Sequence, residues 1–544
     1  MTQAPDLPAV PPARRARAGS RSRLVPLGAC ALLGFAAVAL AGVLLRPALP
    51  IDETRYLAVA WEMWVRGDWL VPTKNFELYT HKPPLLFWTI NLVWAVTGVS
   101  ETAARLVGPG YALLALALTG RLARRLWPDR PGIGGRATLA LAGALAFALS
   151  GGLTMFDAAL AAATVGGMLA LLRALETGRA RDWALLGLAF AAGGLAKGPV
   201  ILIHLGPALA LAPLWSPGRV ALRGLARGAV IALGTGLGLV ALWVVPAALS
   251  GGAEYRTAIL WTQSAGRVAE AFAHARPPWF FVALLPALLF PWFVLPALWR
   301  AGARADWREP GLRLCLVWGG AALVLFSAIS GKQAHYLVPE LPAAALAVAR
   351  LAPPRLSLRV PAAIVAALAL AGLAAALGLV PLSRAEALVQ PRAAAAAACL
   401  LALAVCLIAW RIRGLAGGAV LTLGALLSLN LLIGATATRV LYDTRPLAAA
   451  IAPFEPQGIA FYGQSYHAEF NFAGRLTAPV ATPETAGALA AWQAAHPGGV
   501  IVARLDKAHP SWPPARTIPF RNAPYALWRA ADARPSAPRP EPLP

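Results

Sequence analysis

The feature that most constrains this chain is a series of apolar runs, most of them about 17–25 residues long, the length that crosses the hydrocarbon layer of a bilayer. The first is about Leu24–Leu45. Twelve more are expected at about 103–120, 137–154, 158–175, 183–196, 199–215, 228–249, 279–298, 312–329, 337–351, 359–380, 393–410 and 415–436. With 58% hydrophobic and 13% charged residues and a mean hydropathy of +0.62, this is the composition of a polytopic α-helical membrane protein.

The formal charge of +24 does not point to nucleic acid. Most arginines sit in short loops between apolar runs, as topology determinants do. RLARRLWPDRPGIGGR, RALETGRARDW, SPGRVALRGLARG, WRAGARADWREPGLR, RLAPPRLSLR and WRIRG fall on one side, which the positive-inside bias makes the cytoplasm. Residues 1–23, rich in Pro and Arg, read as a disordered cytoplasmic end, and the first run as a retained signal anchor. Cys30, Cys315, Cys399 and Cys406 lie in or beside apolar runs, which implies no disulfide framework and no cysteine metal site.

One stretch departs from this pattern. Residues 51–88, IDETRYLAVAWEMWVRGDWLVPTKNFELYTHKPPLLFW, lie within an outer juxtamembrane loop, 47–100. A helix over Asp52–Val65 would lie on the membrane surface, with Tyr56, Ala60, Met63 and Trp64 on one face and Gly67-Asp68 as its stop. A second should start at Pro83 and run to about Thr97. Its apolar part, Leu85–Val96, is about twelve residues, too short to span. Were it to span, RLARRLWPDR would face outward, against the charge bias.

Topology set by charge bias alone then places Asp52, Glu53, Lys82, Asp157, Lys197, Lys332 and His335 on one side, the periplasm of a Gram-negative cell. Carboxylates at a membrane-facing cavity suit proton transfer from an acceptor hydroxyl; the plainer reading of Asp52-Glu53 is a pair of helix N-terminal acids, and of Asp157 a helix cap. Lys74, Lys82, Lys197, Lys332 and Lys507 are the only lysines in an Arg-rich chain. Lys82, Lys197 and Lys332 stand at the mouths of runs, where they either converge on a phosphate or snorkel to headgroups. His81, His274 and His335 share that side and are weak candidates for a divalent metal ion, without a ligand spacing. Glu340, inside YLVPELP, either faces a cavity or pairs with an arginine. Residues 440–533 read as a small outer α/β domain, with strands at 458–463, 468–474 and 500–505 and a helix from Thr482 through Ala495. The Pro-rich tail 534–544 is expected to be disordered.

Taken together, DETRY (52–56), GDW (67–69), Pro72, YTHKPPL (79–85), Asp157 after a glycine turn, GLAKGP (194–199) and SGKQAHYLVPELP (330–342) resemble the bacterial aminoarabinose transferase branch of the GT-C glycosyltransferases, relatives of the protein O-mannosyltransferases. The resemblance covers roughly residues 24–440. It implies thirteen transmembrane helices, two juxtamembrane helices and a periplasmic C-terminal domain. It also implies a polyprenyl-phosphate sugar donor, with a lipid A-like glycolipid or another cell-envelope molecule, protein included, as acceptor. Asp52 and Asp157 match paired cavity carboxylates, Lys82 the lysine near the donor phosphate, and Arg55, Tyr79, Lys197 and Tyr336 positions lining the cavity. Two positions depart from the pattern: His81 stands where Glu, associated with a metal, is common, and Glu340 where the motif is usually apolar. A lipid-linked sugar flippase would also line a cavity with charge, but such carriers usually show internal repeats, and this chain has none.

Overall fold

The structure is a computed structural model that describes residues 26–216, 221–259, 275–380, 383–507, 509–521 and 523–532. His274, the ends 1–23 and 534–544, and much of the outer loop around it lie outside the described residues. The chain is a bundle of helices: α1 (Leu27–Leu45), α2 (Asp52–Arg66), α3 (Leu85–Thr97), α4 (Glu101–Arg105), α5 (Val107–Leu126), α6 (Ile133–Ala142), α7 (Leu145–Gly151), α8 (Phe156–Thr177), α9 (Ala180–Lys197), α10 (Ile201–Ala210), α11 (Ala212–Trp215), α12 (Leu222–Ser250) and α13 (Gly252–Thr257). Then come α14 (Phe280–Leu288), α15 (Pro296–Ala303), α16 (Pro310–Ala328), α17 (Leu341–Leu351), α18 (Arg359–Ala376), α19 (Arg392–Arg411) and α20 (Leu415–Ala435). The largest apolar core joins α1, α5, α6, α8, α9 and α17.

Each of the thirteen expected runs contains helix, but nine helices among the described residues are long and apolar enough to cross a membrane, or ten if the bent pair α6–α7 counts as one span. The difference lies at proline and glycine. The runs at 183–196 and 199–215 join into one long element, Ala180–Ala210, turned at Gly198-Pro199. The run at 279–298 divides between α14 and α15, around Pro291. The run at 337–351 is half 3₁₀ turn (Ala334–Glu340) and half the short α17. Between α6 and α7 the axis bends by 74°. Such irregular backbone is tolerated at membrane depth where protein or a cavity borders it.

The juxtamembrane helices form as their sequence dictates. Asp52 and Glu53 occupy the first turn of α2 and Arg66 the last, both favourable to the helix dipole, and Gly67 ends it at φ +66°. The buried face of α2 carries Tyr56, Leu57, Ala60 and Met63, each large side chain contributing about 1.5–3 kcal/mol. These pack with Tyr79, Phe87, Ile90 and Trp94 around α3, with Phe156 at the start of α8, and with Phe472 from the C-terminal region. Between the two helices β1 (Thr73–Lys74) and β2 (Glu77–Leu78) make a small antiparallel hairpin.

Beyond α20 follow α21 (Arg445–Ile451), β3 (Ile459–Tyr462), α22 (Asn471–Gly474), α23 (Ala486–Ala495), β4 (Val500–Arg504), β5 (Arg516–Phe520) and β6 (Ala523–Arg529). The strands order as β3-β4-β6-β5. β3 runs parallel to β4, and the other pairings are antiparallel. Two expectations are corrected here. Residues 468–474 are not a strand but a turn into α22, and the helix expected from Thr482 begins at Ala486, capped by the Thr485 hydroxyl.

Candidate active site

Asp52 and Glu53 are adjacent and face different surroundings. The Asp52 side chain is 46% exposed, paired with the Arg55 guanidinium and accepting from the Tyr56 hydroxyl at 3.3 Å. Burial, then the Asp52 charge, holds the Tyr56 hydroxyl well above its ordinary range, so it stays a neutral donor.

The Glu53 side chain is 2% exposed and fastens a corner of the bundle. Its Oε2 accepts from Arg46 at 2.6 Å and from the Leu49 N–H at 2.9 Å, and its Oε1 from the Thr154 N–H at 2.9 Å. Arg105 completes the corner by donating to the carbonyls of Val43 and Arg46, at 3.0 and 2.9 Å. Burial alone would raise the Glu53 carboxyl, but Arg46 and Arg105 reverse this and bring it down to about 2. Glu53, expected as a catalytic acid or base, is thus held among hydrogen-bond partners of the bundle. Both oxygens are engaged, and the group ties α1 to the turn before α8.

Asp157, in the first turn of α8, meets Lys197, the last residue of α9, with Nζ 2.6 Å from Oδ1; the Asp157 side chain is 2% exposed and that of Lys197 11%. Gly198 follows at φ +76°, a conformation open to glycine and strained for other residues, so the GLAKGP turn can end α9 with the ammonium at its tip. The same ammonium lies 4.9 Å from the centre of the Tyr336 ring. Lys82 Nζ lies 5.7 Å from the centre of the Phe156 ring, next to Asp157. His335 sits edge-on to Tyr336, with centroids 5.1 Å apart. Its imidazole is lowered to about 4 by burial first; Asp157 opposes this, while Lys197 and Lys82 add to it. Groups from the juxtamembrane loop, α8, α9 and the 3₁₀ turn before α17 thus act on one another at one end of the bundle. Tyr79 belongs to the same end: its ring is buried against Phe87 and stacks on His81 at 5.5 Å, and it faces Arg55 electrostatically.

This arrangement was compared with known proteins. Residues 81–246 match the family described as dolichyl-phosphate-mannose-protein mannosyltransferase. The chain is 33% identical over 308 residues to an undecaprenyl phosphate-alpha-4-amino-4-deoxy-L-arabinose arabinosyl transferase of Pseudomonas paraeruginosa, an alignment covering 53% of this chain and 52% of the relative. The protein of the same name from Pseudomonas aeruginosa is 33% identical over 302 residues, with the same shares. The chain thus spans about half the length of the curated relatives it matches. The crystal structure of ArnT from Cupriavidus metallidurans in the apo state superposes with a TM-score of 0.69 at 20% identity, over 94% of this chain and 98% of that one. The structure bound to undecaprenyl phosphate superposes with a TM-score of 0.68, also at 20% identity, over 88% and 92%. The chain has the fold of these ArnT structures.

Within this fold some expected site residues stand apart. Lys332 is 3% exposed and donates to the carbonyls of Arg276, at 3.0 Å, and Ile329, which makes it a cap on the end of α16 rather than a partner of Asp157. Among the described residues no group of three or more His, Cys, Asp or Glu side chains gathers to hold a metal ion. His81 stacks on Tyr79, and His335 faces two ammonium groups. Among the described residues, His81 and His335 therefore make no donor set for a divalent cation. Glu340 pairs with His204 of α10, not with an arginine. Sequence reasoning passed over His204, Arg46 and Arg105. Their signal was present: each is a lone titratable group in or beside an apolar run, and such groups need partners.

Proposed function

We propose that this GT-C protein is a glycosyltransferase of the bacterial inner membrane. It would move a sugar from a polyprenyl-phosphate donor to an acceptor at the periplasmic face, with residues 24–439 as the catalytic membrane part and 440–533 as a periplasmic domain. The observation that supports this most is the meeting of Lys197, Asp157, Lys82 and His335 at one end of a fold shared with a protein crystallised with undecaprenyl phosphate.

In this reading the donor phosphate rests by Lys82, Arg55 and Lys197. The acceptor oxygen attacks the anomeric carbon from the face opposite the phosphate, the carbon–oxygen bond to phosphate breaks, and configuration inverts. The electron pair leaves on the phosphate, where the cations stabilise it. Asp52 is the better placed to take the acceptor's proton, being half-exposed, whereas Asp157 is buried against Lys197. Where the acceptor is itself a phosphate, Asp52 only positions groups. An aminoarabinose donor is favoured, since the curated relatives bear that donor's name.

The test is to incubate membranes holding the protein with a polyprenyl-phosphate sugar and envelope acceptors and to measure released polyprenyl phosphate. Release that Lys82→Ala abolishes supports the reading. Passage of unaltered donor across the membrane, with no release in any acceptor mixture, would identify a flippase instead.

A further inference from the structure

The His204–Glu340 pair lies inside the bundle, with 1% of the His204 side chain and 7% of the Glu340 side chain exposed. Nδ1 of His204 bonds Oε1 of Glu340, while Nε2 and Oε2 have no hydrogen-bond partner among the described residues. A buried pair left half-satisfied is a weak source of stability, and two apolar side chains of similar size would serve packing as well or better. Position is what this pair supplies.

His204 lies seven residues past Lys197, on α10, just beyond the Gly198–Val200 turn that ends α9. Glu340 lies four residues past Tyr336, at the close of the 3₁₀ turn Ala334–Glu340, which carries a proline within it. The contacts form a loop. The Lys197 ammonium lies under the Tyr336 ring; that ring packs on Phe326 at 5.7 Å; Phe326 packs on His204 at 5.4 Å; and His204 binds Glu340. Two backbone irregularities, each able to shift alone, are thus joined at one point beneath the site.

We propose that His204 and Glu340 are positioning residues. They brace the 3₁₀ turn against α10, so that Tyr336 stays over Lys197 and the ammonium stays aimed at Asp157 and at an incoming donor phosphate. That last clause rests on the glycosyltransferase reading; the brace itself does not. Because Lys197 in that reading both meets the donor phosphate and stabilises it as it leaves, the brace acts on kcat/KM for the donor.

The test compares His204→Leu, Glu340→Leu, the double leucine variant and the exchanged pair His204→Glu/Glu340→His in the full-length membrane protein. Two readings are taken: steady-state transfer, and labelling of Lys197 by an amine-selective reagent, read by peptide mass spectrometry without turnover. Each leucine variant is expected to lower kcat/KM for the donor about tenfold, the scale of one lost cation–aromatic contact, and to increase Lys197 labelling. The double leucine variant should melt as the parent does and still show both changes, which a purely structural role would not produce. The exchanged pair should recover most of both. Unchanged labelling and unchanged kcat/KM for the donor in a folded double leucine variant would overturn the brace. Increased labelling in variants of a protein that transfers no sugar would uphold the brace and remove the glycosyltransferase reading.

Discussion

Lys197 reaches Asp157 with an ammonium-to-carboxylate distance of 2.6 Å, joining the end of α9 to the start of α8 where neither charge sees much water. A buried pair of this kind is costly to break from one side. Lys197→Ala is expected to lose about 3–5 kcal/mol of stability, because it strands a buried carboxylate. Asp157→Asn keeps an oxygen for the ammonium and should lose less stability than Lys197→Ala, while turnover falls about 100-fold through loss of the charge that aims Lys197. Thermal unfolding in detergent and release of polyprenyl phosphate separate the two effects. Equal stability for both variants would mean the pair is not buried as described.

Asp52 and Glu53 should separate in the same way. Asp52→Asn is expected to lower turnover by about 100- to 1,000-fold with the fold intact, as removal of a general base does. Glu53→Gln should instead lower stability. The folded carboxyl sits at about 2 against an ordinary value of 4.5. A folded value below the unfolded one means the stabilisation is present above pH 4.5 and is lost as pH falls towards 2. The shift corresponds to about 3 kcal/mol at neutral pH. Unfolding midpoints of the parent and Glu53→Gln should therefore differ at pH 7 and converge as pH falls below 4.5. A constant difference over that range would mean the Arg46 pairing does not set the carboxyl.

What was legible in the sequence is uneven, for physical reasons. α2 could be read from its own residues because its start, its buried face and its stop are all local: the acids, the Tyr56–Met63 face and Gly67. The gathering of Asp157, Lys197 and Lys82 followed from charge bias, since short basic loops fix which end each span presents. The sequence divides two runs at GLAKGP, but hydropathy does not tell a chain reversal from a local irregularity, and α9 and α10 run on as one element; the break near Pro291 leaves no mark in an apolar run. Residues 468–474 alternate like a strand. There the Tyr466 hydroxyl bonds the Asn471 side chain and the Asn471 amide donates to Glu62 at 3.1 Å, so partners more than 400 residues away in sequence decide the local shape. β5 escaped notice because Pro519 sits inside it and its residues are mostly exposed, as at a sheet edge.

His335 should be neutral through the physiological range. Burial, with Lys197 and Lys82 facing it, brings it down to about 4 from an ordinary 6.5. For a base, a depressed folded value means that stability is full above pH 6.5 and falls as pH drops from 6.5 towards 4. His335→Gln is therefore expected to leave the shape of the pH–rate profile above pH 6.5 unaltered, and to soften the loss of stability between 6.5 and 4. A rate break near pH 6.5 that vanishes in His335→Gln would show that the imidazole titrates normally.

The juxtamembrane hairpin offers the last prediction. The tip residues Asn75 and Phe76 have φ of +56° and +62°, a left-handed conformation that Asn tolerates and Phe resists. What holds them is Glu62. Its Oε1 accepts from the Asn75 N–H at 2.7 Å and its Oε2 from the Phe76 N–H at 2.7 Å and the Thr73 hydroxyl at 2.8 Å. The Asn75 amide then pairs both ways with Val480, at 2.9 and 2.8 Å, so one carboxylate on α2 fixes the hairpin and, through it, the C-terminal region. Glu62→Leu leaves those donors buried without acceptors, at about 1–3 kcal/mol each. Hydrogen exchange should then show residues 73–78 and the Val480 amide losing protection well before the spans do. Phe76→Gly in the Glu62→Leu background should return part of that protection, since glycine adopts the tip conformation without strain. Unchanged protection at Asn75 and Phe76 in Glu62→Leu would mean that the hairpin holds its shape unaided, and that the C-terminal region takes its place by other contacts, among them the Trp61 indole bond to the Leu476 carbonyl and the Trp94–Phe472 stack.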